Sequence, residues 1–145
     1  MISIEQIRQE LTWKLRRDLL YPEEMIPNMR MEEDDEGIHF GAFKDNYIVG
    51  VVSLFQTGTD FQFRKLAVAS AVQGSGVGSS LLSYITNYAL ENGGTRIWCN
   101  ARVSAIGFYL KLGYLQTGQF FIKKGIDYEV MEKTISSNLL SQVIK

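Results

Sequence analysis

The sequence predicts an α/β (α+β) fold: a single domain, residues 1–145, with a mixed, mostly antiparallel sheet flanked by helices. Three observations predict it. Apolar stretches of strand length alternate with amphipathic stretches of helical period. Two pairs of strand-like runs are joined by very short turns, Lys44-Asp45-Asn46 and Lys123-Lys124-Gly125, which predict hairpins. One strand–helix–strand passage, residues 61 to 99, favours a parallel pairing within the sheet.

The elements follow in order. Ile4, Ile7, Leu11, Leu15 and Leu19 fall at near-helical spacing and predict a first helix running to about Leu20, with Arg16 and Arg17 solvating it. Pro22 and Pro27 then break the chain into a loop. Residues 38–43 and 47–55 form the first predicted hairpin, and Gly58-Thr59-Asp60 turns into a third strand over residues 61–68. Val77, Leu81, Tyr84, Ile85 and Tyr88 line one face of a helix to about residue 91, closed by Asn92-Gly93-Gly94. Residues 96–100 form a short strand. Ser104 is placed to cap a helix from Ala105 to Lys111, and Gly113 to close it. Residues 114–122 and 128–134 give the last hairpin. The apolar tail Leu139 to Ile144 is suited to pack on a neighbour, which makes a homodimer an expectation.

Composition excludes several classes. Fifteen basic residues against sixteen acidic give a net charge of −1, without the basic excess of a nucleic-acid binder. No apolar run approaches the roughly 18 residues of a membrane span, and the N-terminus lacks an apolar signal core, so no membrane association and a cytoplasmic location are expected. One cysteine, Cys99, and one histidine, His39, provide neither an internal disulfide nor a metal cluster. Charge is unevenly placed: residues 1–60 carry a balance of −6 and residues 61–145 one of +5. The run Glu32-Glu33-Asp34-Asp35-Glu36 reads either as a solvated loop or as a surface that attracts a cation.

The chemical signal is Gln73-Gly74-Ser75-Gly76-Val77-Gly78, between an apolar strand and an amphipathic helix. Alternating glycines let backbone approach a ligand without Cβ obstruction. The first amides of the helix lack internal partners and lie at its positive dipole end, which suits phosphate oxygens. No lysine follows Gly78 as a Walker loop requires, and Ser79 stands where a dinucleotide fingerprint needs glycine or alanine. A tight turn that merely needs glycine is the alternative.

Leu66-Ala67-Val68 followed by Gln73-x-x-Gly76-x-Gly78 resembles the acyl-CoA loop of the GNAT superfamily of N-acetyltransferases. Ala105-x-x-Phe108-Tyr109-x-Lys111-x-Gly113-Tyr114 resembles the second motif of that family, and Gly125 to Met131 its closing hairpin. The resemblance covers nearly the whole chain. It implies a GNAT-like sheet with splayed central parallel strands and a bulge beside the splay. It also implies acetyl-CoA as co-substrate, with Gly74, Ser75, Gly76, Val77, Gly78 and Ser79 around the pyrophosphate and Gln73 opening the loop. Leu66, Ala67 and Val68 would hold the pantetheine arm as an added strand. Phe108 would touch the cofactor, and Asn100 would stand in for the asparagine many members carry where this chain has Arg102.

The implied activity is N-acetylation of a primary amine (small amine, polyamine or peptide amine) by direct transfer in a ternary complex. Tyr109 holds the general-acid position of the family. An amine of pKa near 10.4 arrives protonated, and freeing it at pH 7 costs about 4.6 kcal/mol. No general base is identified: Arg64 stands where some members place glutamate, His39 at the start of a strand reads as structural, and Asp127 and Glu129 in the last hairpin, or an ordered water, are the candidates. A non-catalytic acyl-CoA-binding or regulatory module is the alternative reading. Cys99 reads as a small buried strand residue rather than a nucleophile.

Overall fold

The two predicted hairpins form with the turn chemistry their residues favour. In the computed structural model, which describes residues 2–135, β2 (Ile38–Lys44) and β3 (Tyr47–Thr57) are joined through Asp45 and Asn46, with φ of 52° and 70°. Positive φ at both central residues is type I′ geometry, whose twist matches that of the strands. Lys124 and Gly125, at 52° and 77°, repeat it between β6 (Leu115–Lys123) and β7 (Ile126–Thr134).

Among the described residues seven strands follow the order β1-β2-β3-β4-β5-β7-β6. β1 (Ser3–Ile7) pairs antiparallel with β2, and β7 pairs antiparallel with both β5 (Arg96–Arg102) and β6. β4 (Asp60–Val68) pairs parallel with β5 in the register Asp60↔Arg96, Phe61↔Ile97, Gln62↔Trp98. The helix between them, α2 (Val77–Glu91), makes the crossover. It ends as predicted: Gly93 takes φ 79°, and the amides of Gly93 and Gly94 bond Leu90 O and Ala89 O. That pair of bonds is a Schellman closure.

The first predicted helix is corrected. Residues 3–7 are strand, Gln9–Thr12 is a 3-10 turn, and α1 spans only Trp13–Leu20. Ile4 and Ile7 also suit a strand, and pairing with the edge of β2, from Ser3↔Phe43 to Ile7↔His39, satisfies backbone groups that would otherwise be open. Ser104 is likewise no cap. It lies inside a 3-10 turn, Val103–Ala105, and α3 (Ile106–Lys111) begins after Ala105 without a side-chain cap. The tail Leu139–Ile144 lies outside the described residues.

The described residues pack as two compact units, residues 2–55 with 63–85, and residues 56–62 with 86–135. In the first, Leu15, Val51 and Ala67 are buried together, with Ile7, Leu19, Leu20, Ile48 and Ala69 against them. Gly50 lets β3 meet α2 closely: an added Cβ would lie 2.9 Å from both Leu81 and Val77. In the second, Ile97, Cys99, Ala101, Tyr109, Tyr114 and Met131 are buried.

Candidate functional site

In the first unit the glycine loop follows β4 directly. Gln73 Nε2 reaches back to Val68 O at 2.9 Å, and the Ser75 hydroxyl bonds Val72 O. Gly74 and Gly76 take φ of 84° and 89°, a region that side chains strain. A Cβ at either would meet nothing within 4 Å, so the space above the loop is open. Val77 seats the helix in the core at 2% exposure. Ser80 N bonds Gly76 O at 3.0 Å, which leaves the amides of Val77, Gly78 and Ser79 before the first helical acceptor. Within β4, Lys65 carries φ 58°, a local break one residue before Leu66. Its ammonium bonds the Tyr21 hydroxyl and lies 4.6 Å from that ring's centroid. Exposed glycine backbone, a helix start and an interrupted strand are the features that an extended arm ending in phosphates would need.

The acidic run is not a solvated loop. Residues Glu32–Glu36 form a 3-10 turn held from inside. Asp34, 1% exposed, accepts from Arg16 Nη1 at 2.8 Å and Nη2 at 3.0 Å, and from Met31 N at 2.9 Å. Burial pushes the Asp34 carboxyl up, but the hydrogen bonds from Arg16 and Met31 outweigh it and hold the group below its ordinary value. Arg16 also donates to Met29 O and to Ser53 Oγ. His39 Nε2 lies 2.9 Å from Asp34 O, a carbonyl that only accepts, so this nitrogen carries the proton. Nδ1 then accepts from Ser53 Oγ at 2.7 Å. His39 thus serves as structure, as the strand reading expected.

Arg16 is a correction: it does not solvate α1 but is buried at 1% exposure. The signal was present, since Thr12, Leu15, Arg16 and Leu19 share the i, i+3, i+4, i+7 face. Two of the other acids are also engaged. Glu33 bonds Arg64 Nη1 at 2.5 Å, and Asp35 bonds Arg30 and Gln9. Glu32 and Glu36 remain exposed.

In the second unit, the exit of α3 positions Tyr109. Gly113 takes φ 90°, Gly113 N bonds Leu110 O, and Tyr114 N bonds Tyr109 O, both at 3.1 Å. This Schellman motif carries its usual apolar contact, with the Tyr109 and Tyr114 ring centroids 5.8 Å apart. Tyr109 is 8% exposed, and Phe108 lies edge-on to it at 5.1 Å. Burial, then Cys99 and Tyr114, push its phenol above the ordinary value, so it holds its proton through neutral pH. Burial likewise pushes the Cys99 thiol up to about 12.

Asn100 is exposed on β5. Glu129, 1% exposed, accepts from Gln116 Nε2 and Gly118 N, both at 2.8 Å, where β6 is irregular between Gln116 and Phe120. Both its oxygens are spent on that bulge, whereas Asp127 is exposed at the hairpin turn. Among the described residues no group of three or more His, Cys, Asp or Glu side chains is arranged to hold a metal, and no helix is long and apolar enough to cross a membrane.

Comparison with known proteins agrees with this geometry. The acetyltransferase (GNAT) domain model matches residues 14–135. A curated relative, the uncharacterized N-acetyltransferase YitI of Bacillus subtilis (strain 168), is 28% identical over 148 residues, covering 95% of this chain and 99% of its own. An IAA acetyltransferase from Bacillus cereus ATCC 14579 superposes with a TM-score of 0.75 at 21% identity, over 93% of this chain and 100% of that one. A GNAT family acetyltransferase from Elizabethkingia anophelis, solved with acetyl-CoA bound, gives 0.74 at 18% identity, over 92% and 98%. These two structures share the fold. The fold and the matched domain define an acyltransferase. The chain belongs to the GNAT family of acetyltransferases.

Proposed function

We propose that the chain acts as one domain that transfers an acetyl group from acetyl-CoA to a primary amine. The observation that carries this reading is the open glycine loop at the start of α2, directly after a strand interrupted at Lys65. Gly74 to Ser79 would hold the pyrophosphate through backbone amides, as helix starts hold anions. Gln73 keeps the loop against Val68, and Leu66 to Val68 would pair with the pantetheine arm. Asn100 and Phe108 would complete the cofactor contacts, as the family resemblance implies. Bound acetyl-CoA supplies the activated acyl thioester, and the protein supplies placement and proton handling.

Tyr109 would supply a proton to the departing thiolate, for which a phenol kept neutral by burial is suited. Direct transfer is favoured over an acyl-cysteine route, because the Cys99 thiol is buried and stays protonated at pH 7. The acceptor is a small amine rather than a polyamine. Three of the five acids in residues 32–36 are already paired with arginine, which leaves little negative surface for a polycation.

Arg64 in place of a strand glutamate favours the second reading, a non-catalytic acyl-CoA-binding module. Calorimetric titration with acetyl-CoA, with ATP as control, tests both. Saturable binding of acetyl-CoA alone is expected, and turnover of an amine then separates enzyme from binder. No binding at millimolar acetyl-CoA would reduce the loop to a turn and remove the proposal.

A further inference from the structure

We infer that Arg64 receives a carboxylate of the acceptor, so that the acceptor is a free amino acid or a similar small amine bearing an acid. This rests on the acetyltransferase reading above. An arm running from the glycine loop back along Val68 to Leu66 ends at the Arg64 end of β4. On that course the side chains there would meet the acceptor rather than the cofactor.

Arg64 is built as a receptor on three counts. Its guanidinium carbon lies 5.6 Å from the centroid of Phe55, a ring seated so tightly on Gly37 that an added Cβ would come 2.5 Å from it. A cation–π contact with a fixed ring helps to hold the group. Nη1 donates to Glu33 Oε1, and Glu33 sits on the turn that Arg16 and Asp34 anchor from inside, so the guanidinium is held from a second direction. Among the described residues Nη2 and Nε have no hydrogen-bond partner, and the side chain is 37% exposed. Nε and Nη2 together form the edge that takes a carboxylate with two parallel bonds.

Charge points the same way. Arg64 and Lys65 are consecutive cations, and among the described residues Glu33 is the one carboxylate in an ion pair with either. A neighbouring cation also favours the neutral amine over the ammonium, which lowers the cost of freeing the nucleophile.

The test compares acceptors that differ only in the carboxylate: phenylalanine with phenethylamine, and lysine with cadaverine. The wild type is expected to favour the acid-bearing member of each pair at least tenfold in kcat/KM, since hydrogen bonds to a charged group discriminate by roughly 10- to 100-fold. Arg64→Met should bring the ratio towards one, chiefly through KM, with acetyl-CoA affinity within twofold of wild type. Arg64→Lys should restore only part of it, because an ammonium lacks the fork. Glu33→Gln should keep the preference. A wild-type ratio of one or less overturns the inference, and so does an unchanged ratio in Arg64→Met. Turnover of none of the four amines by a protein that binds acetyl-CoA also overturns it. Failure to bind acetyl-CoA sinks the acetyltransferase reading itself.

Discussion

The acidic turn Glu32–Glu36 and the glycine loop Gln73–Ser79 lie in the same unit and use opposite means. The acidic turn is rich in charged side chains, yet the fold consumes most of that charge: Asp34 in the Arg16 clamp, Asp35 on Arg30, Glu33 on Arg64. The glycine loop contributes almost no side-chain chemistry, and its backbone is what remains unspent. The contrast teaches that a conspicuous run of charge can be scaffolding, while the polar groups left for a ligand are those with the least side chain around them.

The contrast can be broken at its strongest point first. Arg16→Met leaves the Asp34 carboxylate buried and unpaired, and should lower the unfolding free energy in urea by about 3–5 kcal/mol. Acetyl-CoA affinity of the folded fraction should change little. The pH dependence sharpens the same point. The Asp34 carboxyl has a folded pKa below its unfolded one, so its contribution is complete above about pH 4 and declines as pH falls further. Wild type should therefore lose stability below pH 4, and Asp34→Asn should flatten that part of the profile.

Tyr109→Phe comes next. It should cut kcat by about 100-fold or more with acetyl-CoA binding retained, if the phenol donates the proton. An unchanged kcat would remove Tyr109 from the chemistry. At the loop, Gly76→Val places a branched side chain at φ 89° in open space and should weaken acetyl-CoA binding at least tenfold. Gly58→Ala is the control, since φ there is 62° with equally open space but no proposed ligand. The smallest effect is expected of Cys99→Ala: turnover within a few-fold of wild type and a stability loss near 1 kcal/mol.

Legibility in the sequence followed the range of the interactions. Both hairpins, α2 with its Gly93 exit and the Gly113 turn could be read because each is fixed by residues a few positions apart. The first helix was misread because Ile4 and Ile7 satisfy a helical period and a strand equally, and only the distant edge of β2 decides between them. The Arg16–Asp34 clamp was missed because it joins residues 18 apart, although the position of Arg16 on the apolar face of α1 hinted at burial. Of the site, the glycine loop and Tyr109 stood out through motif spacing. The half-used guanidinium of Arg64 did not, because Phe55 and Glu33 come to it from other strands and turns.

One feature of α3 reaches beyond its own geometry. The helix has six residues, too few internal bonds to persist by itself. Tyr109 therefore owes its position less to the helix than to the exit that Gly113 and Tyr114 provide. Tolerance to mutation should be lopsided along this segment. The exposed residues Gly107, Leu110 and Lys111 can drift with small penalties, while Gly113, which touches no reacting group, should prove nearly as irreplaceable as the tyrosine it holds.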